Sequence, residues 1–239
     1  CNFHSIISLY NNFLRVRFYV DTGYDFYLIM TQTTALNSEF LSYRYPELTQ
    51  YLQKIGIDSI SKFSVERSVN SGFNAPFIQF TNNCESLSLT SKNNPRREME
   101  RILAAGLTEL TDAVIFVDFY GGYECQILEQ MGYTEVKIYY ILIFPEIMRI
   151  LLDNCDIRFL EKYDVHFVYG GIPEFRAALV RICNNHKNPK FIYRQSSLKL
   201  IAAARKEYDF FSEFLERRGA DKNYKAVFGG LAAENIERN

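Results

Sequence analysis

Between Ala113 and Gly171 the chain alternates short apolar runs with amphipathic ones, in an order that few architectures accept. Ala113-Val-Ile-Phe-Val-Asp118 is an apolar run closed by a carboxylate, the pattern of a strand buried on both faces. Gly121-Gly122 then stands where that strand must turn sharply into a helix. The spacing predicts strand 113–118, helix 122–131, strand 135–143, helix 146–154, strand 164–169, helix 173–185, strand 190–194 and a long helix 197–217. Such alternation implies an α/β fold: a Rossmann-like, mostly parallel sheet flanked by helices. Ligands of such sheets bind outside the carboxyl ends of the strands, which makes the glycine turn the first place to look. That reading requires parallel neighbours and an accessible turn. Antiparallel pairing, or a turn sealed inside protein, would end it.

The α/β domain is assigned to residues 91–239. Residues 1–90 read as a smaller β-rich α+β module. Leu14–Val20 and Tyr24–Met30 are strand-like runs around Asp21-Thr22-Gly23, which predicts a hairpin. Pro46–Ile55 carries Leu48, Tyr51, Leu52 and Ile55 at helical spacing and closes at Gly56. Phe63–Val69 and Pro76–Phe80 are further strands about the turn Asn70-Ser71-Gly72. Asn94-Pro95 opens a helix with a capping side chain and a proline at its first position, and Gly106 ends it. The stripe Ile201, Ala204, Tyr208, Phe211 and Leu215 makes the last helix a packing element rather than a cofactor site.

Composition excludes several function classes. A formal charge of −1 over 239 residues provides no long-range field for nucleic acid or an acidic membrane, so nucleic acid is not expected as a partner. No run approaches the ~18 consecutive apolar residues of a membrane span. Cys1, Cys84, Cys125, Cys155 and Cys183 include no C-x-x-C pair and do not form a disulfide framework, which points to a reducing, cytoplasmic setting. His4, His166 and His186 are too widely separated for a metal motif, and no metal is expected. Cys1, where a Met or signal region would stand, reads as the start of a trimmed or incomplete chain, with a lipidated mature terminus as the alternative.

Two constellations carry possible chemistry. In Asp118-Phe-Tyr-Gly-Gly-Tyr-Glu124 the glycines Gly121 and Gly122 let backbone approach a ligand, and the helix opening at Tyr123 and Glu124 offers free N–H groups to an anion. The same turn serves equally as a tight connection without a ligand. It lacks the first glycine of G-x-G-x-x-G, where Tyr120 stands. No carboxylate closes the next strand to hold ribose hydroxyls. Glu146, just beyond it, reads as a first-turn helix residue rather than a sugar ligand. The second constellation surrounds the helix start at Asn94: Ser91, Lys92 and Arg97 can hold a phosphate or carboxylate, or merely decorate a well-capped surface helix. Gly170-Gly171 is a further permissive turn on the same edge. No nucleophile elbow and no convincing Cys–His or Ser–His pair is visible.

Leu89-Thr-Ser-Lys-Asn-Asn-Pro-Arg-Arg-Glu-Met-Glu-Arg101 and Ile115-Phe-Val-Asp-Phe-Tyr-Gly-Gly-Tyr-Glu124 resemble two motifs of the motility accessory factor family, the flagellin glycosyltransferases. The first is similar to that family's Ser-(Arg/Lys)-x-x-Pro-x-x-Glu-Ala pattern, the second to its strand followed by a Gly-(Leu)-Gly-Tyr turn. Val165–Gly170 and Phe228–Asn239 agree in context, so the resemblance spans roughly residues 60–239. Phe144-Pro145 replaces the family's Glu-Pro. The resemblance implies a cytoplasmic role in transferring a nonulosonic acid from a CMP-activated sugar to flagellin, with catalysis in a domain following this one. The favoured expectation is therefore a non-catalytic or accessory Rossmann-like domain with flagellin as candidate partner, its ligand unassigned and a CMP-sugar or other nucleotide as the candidate. The alternatives are an S-adenosylmethionine-dependent methyltransferase, with Asp118 and Gly121 near the methionine, and a pure interaction module with a vestigial pocket.

Overall fold

The structure, a computed structural model, describes residues 5–10, 13–18, 23–82 and 85–220. Strands β1 (Ser5–Tyr10) and β2 (Phe13–Phe18) form an antiparallel hairpin, followed by helices α1 (Gly23–Arg44), α2 (Pro46–Gln53) and α3 (Ile57–Ile60). Tyr24–Met30, expected as the second strand of a hairpin, lies instead in α1. Its largely apolar run fits a helix as well as a strand. Past it, Asn37 and Leu41 are buried and Thr34 and Arg44 half-buried, a helical spacing of three to four. The partner of β2 comes from the preceding residues, and Asp21 and Thr22 lie outside the described residues.

A three-stranded antiparallel sheet follows: β3 (Phe63–Ser68), β4 (Gly72–Asn82) and β5 (Glu85–Ser88), in that order. β5 carries no strong strand signature and pairs with β4, with Phe80 opposite Leu87. Helix α4 (Pro95–Gly106) begins as expected, with Asn94 Oδ1 accepting from the Arg97 N–H at 2.9 Å.

The central sheet contains β6 (Ala113–Val117), β7 (Lys137–Ile141), β8 (Val165–Val168) and β9 (Pro189–Ile192), all parallel, in the order β8-β7-β6-β9. Helices α5 (Tyr123–Gln130), α6 (Pro145–Leu151) and α7 (Ile172–Asn185) connect them. β6 lies between two neighbours, and every one of its residues is buried, which accounts for its unbroken apolar sequence. The long terminal helix expected over 197–217 is broken. α8 (Gln195–Ala204) ends at Arg205, where the backbone leaves the helical region (φ −144°, ψ 57°). A single 3₁₀ turn then leads into α9 (Asp209–Ala220). At the break, Arg205 places its guanidinium on Glu146 Oε1 at 2.8 Å and over the Phe144 ring at 5.5 Å. In the apolar stripe, Ile201, Tyr208, Phe211 and Leu215 are buried, but Ala204 at the break is exposed.

The small sheet lies against the carboxyl-end loops of the parallel sheet. The rings of Phe63 on β3 and Phe144 after β7 meet at 6.2 Å, and Pro76 of β4 packs against Gly121. A continuous buried cluster runs from Leu41 and Leu48 through Phe80 and Met99 to β6 and α9. No helix among the described residues is long and apolar enough to cross a membrane.

Candidate functional site

From β6 the chain steps outward to β7 and β8, then returns to place β9 on the other side of β6. In open α/β sheets ligands bind where the order reverses in this way. Here that position is the crevice between the loop after β6 and the loop after β9.

The first of these loops is strained and buried. Asp118 continues the ladder by donating its N–H to the Ile141 carbonyl at 2.8 Å, then takes φ +61°, a left-handed value unusual for a residue with a side chain. Its carboxyl group is fully buried. Oδ1 accepts the Phe144 N–H at 2.7 Å, and Oδ2 has no hydrogen-bond partner among the described residues. Burial pushes its pKa up to about 7 against the opposing pull of the Phe144 amide, and the charge of Glu146 adds to the rise. Asp118 therefore faces the β7 loop rather than the crevice. It closes a loop-to-loop contact that Phe144 provides from its backbone.

Gly121 (φ +115°) and Gly122 (φ +79°) then turn the chain into α5, Gly122 being its N-terminal cap. The turn is sealed. A Cβ on Gly122 would stand 2.9 Å from Leu160 Cδ2 and 3.3 Å from both Phe119 and Phe159, and one on Gly121 would stand 3.5 Å from Pro76. Parallel pairing of the strand is as expected, but the open approach that a ligand at this turn requires is closed by the small sheet and by the segment around Leu160.

The crevice is filled by the chain's own polar groups. Tyr120 and Tyr123, on either side of the glycines, point their rings inward and are almost completely buried. Tyr120 Oη shares a 2.7 Å hydrogen bond with Ser197 Oγ in the first turn of α8. Arg194, immediately before α8 and only 2% exposed, lies 5.1 Å from the Tyr120 ring centre and donates from Nη2 to Tyr123 Oη at 2.6 Å. Its Nη1 bonds Glu98 of α4, whose Oε2 also accepts the Ser91 N–H at 3.1 Å. Burial raises the pKa of both tyrosines, so neither ionises near neutrality.

Glu124 sits behind this network with its charge suppressed. It is buried, accepts a 3.4 Å bond from Tyr140 Oη on Oε2, has no partner on Oε1, and burial lifts its pKa to about 7. The neighbouring Cys125 is also raised by burial, and Cys155 is pushed up to about 12, so both remain thiols at neutral pH. Cys155 lies just beyond α6.

Of the residues singled out from the sequence, Ser91 and Tyr123 join one network through Glu98 and Arg194. Lys92 and Arg97 remain exposed outside it: Lys92 Nζ lies 5.7 Å from the Phe77 ring centre, and Arg97 contributes its backbone to the Asn94 cap. Asp118 and Glu124 are buried in separate contacts, and Gly121 and Gly122 shape the turn. Glu146 is a first-turn residue of α6, as read, and is also the partner of Arg205. Arg194, Glu98 and Ser197 were missed as site residues. The available signal was Arg194, a lone cation closing a short strand before a polar helix start, but strand order was needed to place it beside β6.

A scan against protein-family models and searches of curated proteins and solved structures found no match to this chain.

Proposed function

We propose that this chain is a non-catalytic, accessory Rossmann-like domain that acts in flagellin glycosylation by holding a partner rather than a nucleotide. One observation supports the non-catalytic part: the crevice between β6 and β9 is occupied by Tyr120, Tyr123 and the Arg194–Glu98 pair. A dinucleotide, a CMP-sugar or S-adenosylmethionine would need that volume, and the backbone at Gly122 besides. The methyltransferase alternative also loses its carboxylate, because Asp118 is turned to the Phe144 amide. The flagellin context rests on the two motif resemblances around Ser91–Arg101 and Ile115–Glu124, and on those alone.

Two measurements on the purified chain test this. Calorimetric titration with CMP, a CMP-nonulosonic acid and S-adenosylhomocysteine is expected to give no binding heat. Immobilised chain is expected to capture flagellin in the same buffer. Saturable S-adenosylhomocysteine or CMP binding would overturn the closed-crevice reading, and failure to retain flagellin would remove the glycosylation context.

A further inference from the structure

Glu98 is not simply one more surface acid. Two donors from separate parts of the chain converge on its Oε2: the guanidinium of Arg194, from the corner between β9 and α8, and the Ser91 N–H, from the loop before α4. Convergent N–H donors on a single oxygen form an oxyanion receptor. The two sides of this receptor differ in depth. The Arg194 side chain is 2% exposed and braced by Tyr123 Oη and the Tyr120 ring, whereas Glu98 is 37% exposed and reaches in from the rim. The buried Nε of Arg194 has no hydrogen-bond partner among the described residues. Exposed Lys92 and Arg97 are the sequence neighbours of Ser91 and Glu98.

Resting on the closed-crevice reading above, we infer that Arg194 and the Ser91 amide form a latent receptor for a small oxyanion, phosphate or carboxylate, and that Glu98 is its built-in competing ligand. The pre-organised half is the deep half, which needs no rearrangement to accept another anion. Only the rim residue must leave, by a rotation of its side chain into solvent. A partner or ligand presenting an oxyanion at this rim would displace Glu98 without opening the core.

Thermal melts of the full chain test the inference, using wild type, Glu98→Ala, the milder Glu98→Gln, and Glu98→Ala combined with Arg194→Met. Each is measured in sodium chloride, sodium phosphate and sodium acetate at equal ionic strength. Glu98→Ala is expected to gain roughly 5 °C in phosphate or acetate relative to chloride, and comparison of those two salts identifies the preferred oxyanion. Wild type moves only as much as the Arg194→Met double variant, which reports the general salt effect. If Glu98→Ala does not fold, Glu98→Gln is read in its place and a smaller shift of the same sign is expected. Equal midpoints for the folded single variants in all three salts would overturn the inference and leave the closed crevice standing. A gain that persists without Arg194 would overturn it too. A wild-type response as large as that of Glu98→Ala would overturn both the competing role of Glu98 and the closed crevice itself.

Discussion

Asp118 combines three costs that a protein seldom places on one residue: a left-handed backbone, complete burial, and a carboxyl oxygen with no hydrogen-bond partner. The compensation is protonation. With its pKa raised from 3.8 to about 7, the folded chain binds a proton that the unfolded chain has already released across that interval. This contribution to stability is complete below about pH 4 and is lost as the pH rises through about 7. Glu124, raised from 4.5 to about 7, acts in the same direction. The urea midpoint of the full chain is therefore expected to fall between about pH 5 and about pH 8. Asp118→Asn keeps an acceptor for the Phe144 N–H, and Asn tolerates the left-handed backbone. That variant should match wild type below about pH 4 and exceed it near pH 8, by up to a few kcal/mol. Parallel pH profiles for the two proteins would mean that Asp118 is ionised throughout.

The glycine turn that links strand to helix shows how two physical effects can be separated between elements. Gly122 and Gly132 share a left-handed backbone (φ +79° and +87°), yet a Cβ on Gly122 meets Leu160 at 2.9 Å, whereas one on Gly132 meets nothing within 4 Å. Gly132→Ala is expected to cost only the backbone strain, ~1–2 kcal/mol. Gly122→Ala adds overpacking, for a total of ~2–4 kcal/mol. Denaturant unfolding of the pair measures the difference, and equal losses would show that Leu160 gives way freely. What the sequence made legible at this scale was local: β6 by its continuous apolar run, the strands beside it by their alternation with helical segments, α4 by its Asn-Pro start, and the turn itself by its glycines. Tyr24–Met30 was not legible, because seven largely apolar residues carry no decisive period. The break at Arg205 was hidden too. No glycine or proline marks it, and the Glu146 partner of Arg205 lies 59 residues away.

For the molecule as a whole, the sequence indicated where a site should stand but not that the site is filled. Filling depends on Pro76, Glu98 and Arg194, which approach the turn from distant parts of the chain. Contacts of similar range decide how the amino-terminal helices are held. Asn37 in α1, fully buried, donates to the carbonyls of Leu152 and Cys155 at 2.8 and 2.6 Å and accepts the Ile157 N–H at 3.1 Å. Arg44 adds bonds to the carbonyls of Glu161 and Tyr163, and Tyr45 Oη one to that of Val165. Each spans 115 to 120 residues of sequence, so α1 is stitched to the α6–β8 connection on which the sealed turn also leans. Asn37→Ala would leave three buried backbone groups short of partners, at ~1–3 kcal/mol for each group left unsatisfied. Because the buried core is continuous across this junction, the loss should lower a single cooperative transition of the full chain rather than split it. Far-ultraviolet circular dichroism and near-ultraviolet tyrosine signals, which 17 Tyr and no Trp make clean, should then shift together. Separation of the two curves in Asn37→Ala would mean that the amino-terminal helices melt independently, and that the stitching by Asn37 is local.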